Sequence, residues 1–429
     1  MSVLQKVQQV FQVKDVRKSI IFVLVMLVVF RIGAHIPIPG ITVGDLQQFF
    51  AQNQVLGLLN LFSGGGLENV SLMMLGLGPY ITSSIIFQLL VMIVPRLEEL
   101  QKDGEAGRQK INKWTRIATV PLALLQGYGF IRLFQQQSVH GQALIGDMNA
   151  MQWTTALIAV TAGTIFLMWI GELISEKNIG NGISLLIFAG IIAALPSTVQ
   201  QLALVYDQSQ LYNLLLMIGI GIVTVFGVVI ITEGQRNIPI SYARQVRGSK
   251  LYGGMSNHLP LRVNQGGVIP IIFAISVMLF PPMVAQFLIR ASNPAIAGFA
   301  QNIIDWFNNT TIYGVIYFLL VVAFTFFYSA VVFHPDQIAE NLQKQGAFIP
   351  GIRPGNSTTE YLQKVVNRIN LTGSLFLGLI AVLPLIVEAI TGFNALIIGG
   401  TSLLIIVSVV IEIVKQVEAQ LNVHEYDAY

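Results

Sequence analysis

The sequence predicts an all-α membrane protein, with ten transmembrane helices in two inverted halves of five. Three observations carry that prediction. Ten apolar runs recur along the 429 residues, each about 20 residues long, the length that crosses a bilayer core as a helix. Basic residues fill every second gap between the runs. The second run of each set of five opens on glycine and proline.

The runs cover 20–37, 71–94, 115–133, 153–174, 183–204, 211–231, 268–289, 312–333, 371–390 and 395–414. Composition agrees with them. The chain is 54% hydrophobic and 10% charged, where a soluble globule carries about 25% charge. The first run is too long for the apolar part of a cleavable signal peptide. It also continues into Pro37, Pro39 and Gly40 rather than a small-residue cleavage site, so it is retained as a span.

Charge allocation orients the spans. Of the 24 Lys and Arg residues, 21 fall in the N-terminal segment, the even-numbered gaps and the tail. The other side keeps only Arg31, Arg132 and Arg290. Positive-inside reasoning places both termini and the even gaps in the cytoplasm.

The halves divide as 1–204 and 205–429. Gly76-Leu77-Gly78-Pro79-Tyr80-Ile81 opens the second run, and Gly266-Gly267-Val268-Ile269-Pro270 the seventh. Helix breakers at corresponding places point to an inverted repeat with a pathway between the halves. An odd number of spans per half makes the two topologies opposite.

Val55–Phe62 is apolar but too short to span. It reads as a re-entrant segment or as an amphipathic helix on the outer surface, and Ser63-Gly64-Gly65-Gly66 lets it turn back. Two cytoplasmic gaps are long, about 233–267 and 334–370, and read as ordered protrusions. In Ile349-Pro350-Gly351-Ile352-Arg353-Pro354-Gly355, paired Pro-Gly turns present Arg353 at a tip. The tip suits docking to an acidic protein or to RNA phosphates, or is a solvated basic loop that only fixes orientation.

Enzyme signatures are missing. There is no Gly-Lys dipeptide for a P-loop, no paired histidine motif among the five His residues, no Gly-x-Ser-x-Gly and no cysteine. No cofactor, metal or catalytic residue is expected. Ionisable residues near membrane depth are few. Arg31, Glu172, Glu388 and Glu412 lie toward span ends, where snorkelling or structural pairing is expected rather than ion coupling.

The second span carries Thr82, Ser83, Ser84 and Gln88. Ile81, Ser84, Ile85 and Gln88 share one face, within reach of Gln126 and Ser276. Such groups serve as static helix glue or as a gate. Hydrogen bonds of this kind contribute only about 0.6 to 2 kcal/mol each.

At these residues the chain resembles the SecY family, the channel subunits of bacterial Sec protein translocases. The resemblance runs from about residue 15 to residue 415 and rests on many ordered motifs. They are Arg31-Ile32-Gly33, Ile36-Pro37-Ile38-Pro39-Gly40, Phe62-Ser63-Gly64-Gly65, Pro79-Tyr80-Ile81, Gly104-Glu105-Ala106-Gly107-Arg108, Gly180-Asn181-Gly182-Ile183-Ser184, His258-Leu259-Pro260-Leu261, Val268-Ile269-Pro270 and the loop around Arg353.

The resemblance implies a clamshell around a central hourglass pore. A plug at about 55–66 (Leu58, Leu59, Asn60, Leu61, Phe62, Ser63, Gly64 and Gly65) closes the outer funnel. A pore ring of Leu77, Ile81, Ile187, Ile272 and Ile405 gates by dewetting. A lateral gate between spans two/three and seven/eight is lined by Thr82, Ile85, Gln88 and Gln126 on one side and by Ser276 and Phe280 on the other. Through it signal sequences and membrane helices reach the lipids.

Arg244, Arg247, Lys250 and Arg353 become the docking face for the SecA ATPase motor or the ribosome. SecE and SecG become companion subunits, the nascent polypeptide the cargo, and the bacterial plasma membrane the location. The competing reading is a secondary transporter of a small solute. Its absent midplane carboxylates and the two large basic loops argue against it.

Overall fold

A computed structural model of the chain describes residues 12–38, 60, 63–136, 138–139, 142–146, 148–205, 211–242, 245–247, 250–252, 256–289, 293–391 and 400–427. Ten helices overlie the ten apolar runs. In the first set they are α1 (Lys14–Ala34), α2 (Gly78–Ile93), α4 (Glu105–Gln136), α5 (Ala150–Ser175) and α6 (Gly182–Val205). In the second they are α7 (Leu211–Glu233), α8 (Ile269–Leu288), α10 (Thr310–Val332), α12 (Asn356–Thr391) and α13 (Gly400–Asp427). Between them lie α3 (Pro95–Lys102), α9 (Pro294–Asn308) and α11 (Pro335–Lys344).

Among the described residues, four helices are by length and composition alone apolar enough to cross a membrane, or five with the bent pair α2 and α3 counted as one span. Apolar side chains also face outward in stripes, such as Leu371, Leu375 and Leu379 on α12 and Ile222, Val223 and Phe226 on α7. A continuous apolar exterior is stable against lipid and not against water.

The two sets repeat their packing. In each, the first helix meets the fourth and the fifth, the second meets the third, the third meets the fourth, and the fourth meets the fifth. The sets face each other along two seams. On one, α2 and α4 pack against α8. On the other, α6 and α1 pack against α13. This is the geometry expected of five-helix halves related by an inverted repeat.

Span two differs from its apolar run. The run begins at Ser71, but the helix begins at Gly78. Residues 63–77 form a chain of turns whose amides bond nearby carbonyls, as in Ser71 N to Gly66 O and Gly76 N to Met73 O. Backbone bonds from Ile38 N to Val70 O and from Leu72 N to Ile36 O tie this segment to the end of α1. Non-helical backbone at membrane depth survives only where protein buries it, and here α1 and α5 do so. A Cβ on Gly163 of α5 would collide with the Leu72 carbonyl. Gly163→Leu is therefore expected to cost about 1–3 kcal/mol through overpacking and to lower the thermal midpoint of the detergent-purified protein. An unchanged midpoint would contradict this packing.

At its other end α2 stops at Val94, whose backbone is extended because Pro95 follows. The chain then bends by 100° into α3.

The long loops are structured, and they contain the only strands among the described residues apart from a short hairpin of β1 (Ser138–Val139) and β2 (Gln142–Ala143). Here β3 (Gln235–Tyr242), β4 (Gln245–Arg247), β5 (Lys250–Tyr252), β6 (Ser256–Arg262) and β7 (Ala347–Phe348) form a sheet of order β6-β3-β7 and a β4-β5 hairpin. The second gap is shorter than its composition suggested, because α12 starts at Asn356 rather than near 371. At 1.5 Å per residue this helix is about 54 Å long and overshoots a hydrocarbon core of about 30 Å. Its projecting part carries Leu362, Val365, Val366 and Ile369, spaced to share one face. They bury a small core with Ile238, Leu261 and Ile349.

Helix α9 was not foreseen. Asn293 caps it by accepting from Ala295 N (3.0 Å), with Pro294 in the first turn. That Asn-Pro start was the readable signal.

Candidate functional site

A cavity of about 70 Å³ lies where the first seam meets the turn segment. Its walls include Leu77, Ile81, Ile187 and Ile272, with Ser63 of the turn segment and Thr82, Gln126, Ser276 and Phe280 along the seam. Leu77 precedes α2, and the positive φ of Gly76 (55°) turns it inward. Ile187 comes from α6 and Ile272 from the first turn of α8. Ile405 of α13 does not line the cavity. It is fully buried in the same apolar cluster as Leu77, Ile187 and Ile272. No lining residue is ionisable. The volume holds a few waters, whereas an extended peptide is about 5 Å by 10 Å in section.

The seam residues behave differently from a hydrogen-bonded gate. Gln126 Nε2 donates to Thr82 Oγ1 (3.3 Å), and Thr82 donates to Gly78 O (3.0 Å), both within the first set. Ser276 donates back to Ile272 O of its own helix (2.9 Å). Gln88 donates to Ser84 (3.1 Å). Among the described residues, no side-chain hydrogen bond crosses from α2 to α8. The polar groups of the seam bond within their own set instead, because serine and threonine in a helix reach the carbonyl one turn back, and Gln88 Oε1 is buried without a hydrogen-bond partner. Ile85 is buried off the cavity. The cavity also takes in Leu67, Met74, Leu75, Phe130 and Ile275, which sequence reasoning missed. Three of these lie in the turn segment, which hydropathy assigns to a gap or to a span.

Of the plug residues, Leu58, Leu59, Leu61 and Phe62 lie outside the described residues. Asn60, Ser63, Gly64 and Gly65 close a turn. Gly65 N donates to Asn60 O (2.8 Å), and Ser63 Oγ donates to the same carbonyl (3.0 Å). The ionisable groups near span ends are paired. Arg116 Nε meets Glu172 Oε1 at 2.6 Å, Arg31 donates to Gly64 O, and Glu412 accepts from Gln416 (3.4 Å). The Glu388 side chain lies outside the described residues.

On the loop face, Arg353 is exposed at a turn whose flanks are held. Gly351 and Gly355 take positive φ (83° and 99°), Ile352 N bonds Ile349 O, and Thr358 Oγ1 donates to Arg353 O (3.0 Å). Arg247 and Lys250 are partners at the closed end of the β4-β5 hairpin. Arg244 lies outside the described residues. On α3 and α11 of this face, hydrogen bonds from Lys102 and Lys344 hold the exposed Glu98 and Glu340 carboxyls below their ordinary range. Among the described residues, no group of three or more His, Cys, Asp or Glu side chains converges as a metal site would need.

Two repeated five-helix sets that meet at a small, mostly apolar, uncharged cavity define a polytopic membrane channel. Solved structures share the fold. One described as the structure of a protein conducting channel matches with a TM-score of 0.60 and 18% identity, covering 93% of this chain and 91% of that one. A SecY structure concerned with its plug domain matches at 0.62 and 19%, with the same coverage. The SecY family profile matches residues 71–414. The protein translocase subunit SecY of Streptomyces galbus is 45% identical over 98% of both chains. That of Thermotoga maritima is 39% identical over 99% of this chain and 97% of its own. The chain belongs to the SecY family.

Proposed function

We propose that the protein is the channel-forming subunit of a protein translocase. It passes secretory polypeptides across the membrane and releases apolar segments sideways into the lipid. The observation that carries this reading is the uncharged aliphatic constriction at the meeting of the two halves, in a chain of this family. A solute or ion carrier needs groups that select its cargo, whereas this passage discriminates by no charge. Branched aliphatic side chains exclude water when apposed and change rotamer around a moving chain.

In this reading Leu77, Ile81, Ile187, Ile272 and Ile405 form the ring, and 55–66 forms the plug. The halves 1–204 and 205–429 part along the seam of α2 and α4 with α8. Apolar packing, with no side-chain hydrogen bond from α2 to α8 among the described residues, supports parting into lipid. Lipid tails replace apolar contacts at little cost but cannot replace hydrogen bonds. The basic loop face, with Arg244, Arg247, Lys250 and Arg353, is cytoplasmic and receives the SecA motor or the ribosome, which supply the push. SecE and SecG are its companions in the bacterial plasma membrane, with both termini cytoplasmic.

The test uses the absence of native cysteine. Single cysteines at Ile81, Ile187, Ile272 or Ile405 are paired with a cysteine in a secretory polypeptide stalled in transit. Disulfides are expected at all four and not at Val223, which faces outward at 71% exposure. Continued transport without ring cross-links would discard the ring. Absence of any engaged polypeptide would discard the channel.

A further inference from the structure

We propose that Arg31 is the positioning residue that keeps the channel shut, by seating the glycine turn at residues 63–66. The inference rests on the channel reading above. Arg31 occupies the last turn of α1 and is half-buried, and its Nη1 donates to the Gly64 carbonyl. Gly64 and Gly65 have φ of +66° and +83°, a left-handed backbone that glycine adopts at no steric cost. The turn also rests on the fully buried Phe30 ring. A Cβ on Gly64 would come within 2.6 Å of Phe30 Cζ and 3.2 Å of Arg31 Nη1.

The turn is one unit. Besides the bonds from Gly65 and Ser63, Asn60 Oδ1 accepts from Glu68 N (3.0 Å) and Asn60 Nδ2 donates to Glu68 Oε2 (2.9 Å). Beyond it, Val70 and Leu72 are fixed independently by backbone bonds to Ile38 and Ile36. The Arg31 bond is therefore placed where it can break without undoing the anchor that follows.

Chemistry favours arginine here. A guanidinium stays charged, is weakly hydrated and presents several fixed donors. At membrane depth a lone cation binds backbone carbonyls. Breaking the bond strands the carbonyl and the charge together, so the seated state is preferred until a polypeptide displaces the turn. Because Ser63 of the same turn lines the cavity, the seat and the seal are coupled.

The experiment compares the parent channel with Arg31→Gln, Arg31→Lys and Gly64→Ala, each purified with its companion subunits and reconstituted in planar bilayers. Arg31→Gln is expected to raise resting ion conductance roughly tenfold to a hundredfold, the factor that a hydrogen bond to a charged donor commands. Arg31→Lys should leak less than Arg31→Gln. Gly64→Ala keeps the Arg31 guanidinium but crowds the turn against Phe30 and Arg31 Nη1, and should leak as well. A single cysteine at Ser63, buried in the parent at 2% exposure, should become reactive to a membrane-impermeant maleimide in both leaky variants.

If Arg31→Gln does not accumulate, Gly64→Ala and the Ser63 label decide. Parent-like seal and parent-like labelling in those variants would overturn the proposal. A parent complex that conducts no polypeptide would instead overturn the channel reading, a separately visible result.

Discussion

Ile272→Asn is expected to make the resting channel leak ions at least about tenfold above the parent. In the proposed ring the seal consists of side chains that water wets poorly. Leu77, Ile187 and Ile272 are buried around a cavity of about 70 Å³, and no charged group lines it. An asparagine there puts an amide into a mostly apolar wall, and an amide kept dry without its full set of hydrogen bonds costs about 1–3 kcal/mol. That cost tilts the constriction toward a water-filled state by roughly ten- to a hundredfold. Single-channel recording without substrate reads the effect directly. Ile272→Leu conserves volume and polarity and should seal as the parent does. A dry Ile272→Asn channel would mean that the barrier lies elsewhere, for example in the plug alone.

Arg353→Glu should abolish motor-driven translocation while leaving the protein folded. The residue is exposed and accepts no structural duty through its side chain. What holds the tip is backbone geometry at Gly351 and Gly355, the Thr358 bond to the Arg353 carbonyl, and Ile349 in the core beneath. Charge reversal therefore changes the field at the tip and not its shape. Like charges juxtaposed across an interface cost several kcal/mol, enough to lose binding by a hundredfold or more. Motor affinity and translocation of a purified secretory protein are the two measurements, with the thermal midpoint as control. Retained transport would remove Arg353 from the docking face.

Much of this fold was legible because lipid imposes a blunt rule: each span must be apolar for about 20 residues, and the ten runs overlie ten helices. What was misread follows from the same rule. Residues 71–77 are apolar enough to count as span, yet Gly76 and Pro79 break the helix, and burial by α1 and α5 substitutes for helical hydrogen bonding. Asn356–Asn370 is too polar to count as span, yet it is helical because its stripe of Leu362, Val365, Val366 and Ile369 meets the loops instead of lipid. The site divides the same way. Leu77, Ile81, Ile187 and Ile272 were nameable only through motif resemblance, since each is otherwise an ordinary aliphatic. Leu67, Met74 and Leu75 reach the cavity through irregular backbone that no periodicity describes. The seam's polar residues were visible, but their partners were not. A serine's choice between its own helix and a neighbour depends on separations that sequence does not encode.

The pairing of β3 with β7 constrains when this protein becomes competent during its own synthesis. Ser241 and Tyr242 find their partners in Phe348 and Ala347, which follow spans seven and eight in the chain. The core beneath the Arg353 tip needs Leu362 and Val365, later still. A half-made chain thus has its first long loop but no finished platform. Only after α8 and α10 have entered the membrane, and α12 has begun, does the loop face acquire its final shape. The order of residues acts as a checkpoint. A chain with missing spans therefore has no completed loop face.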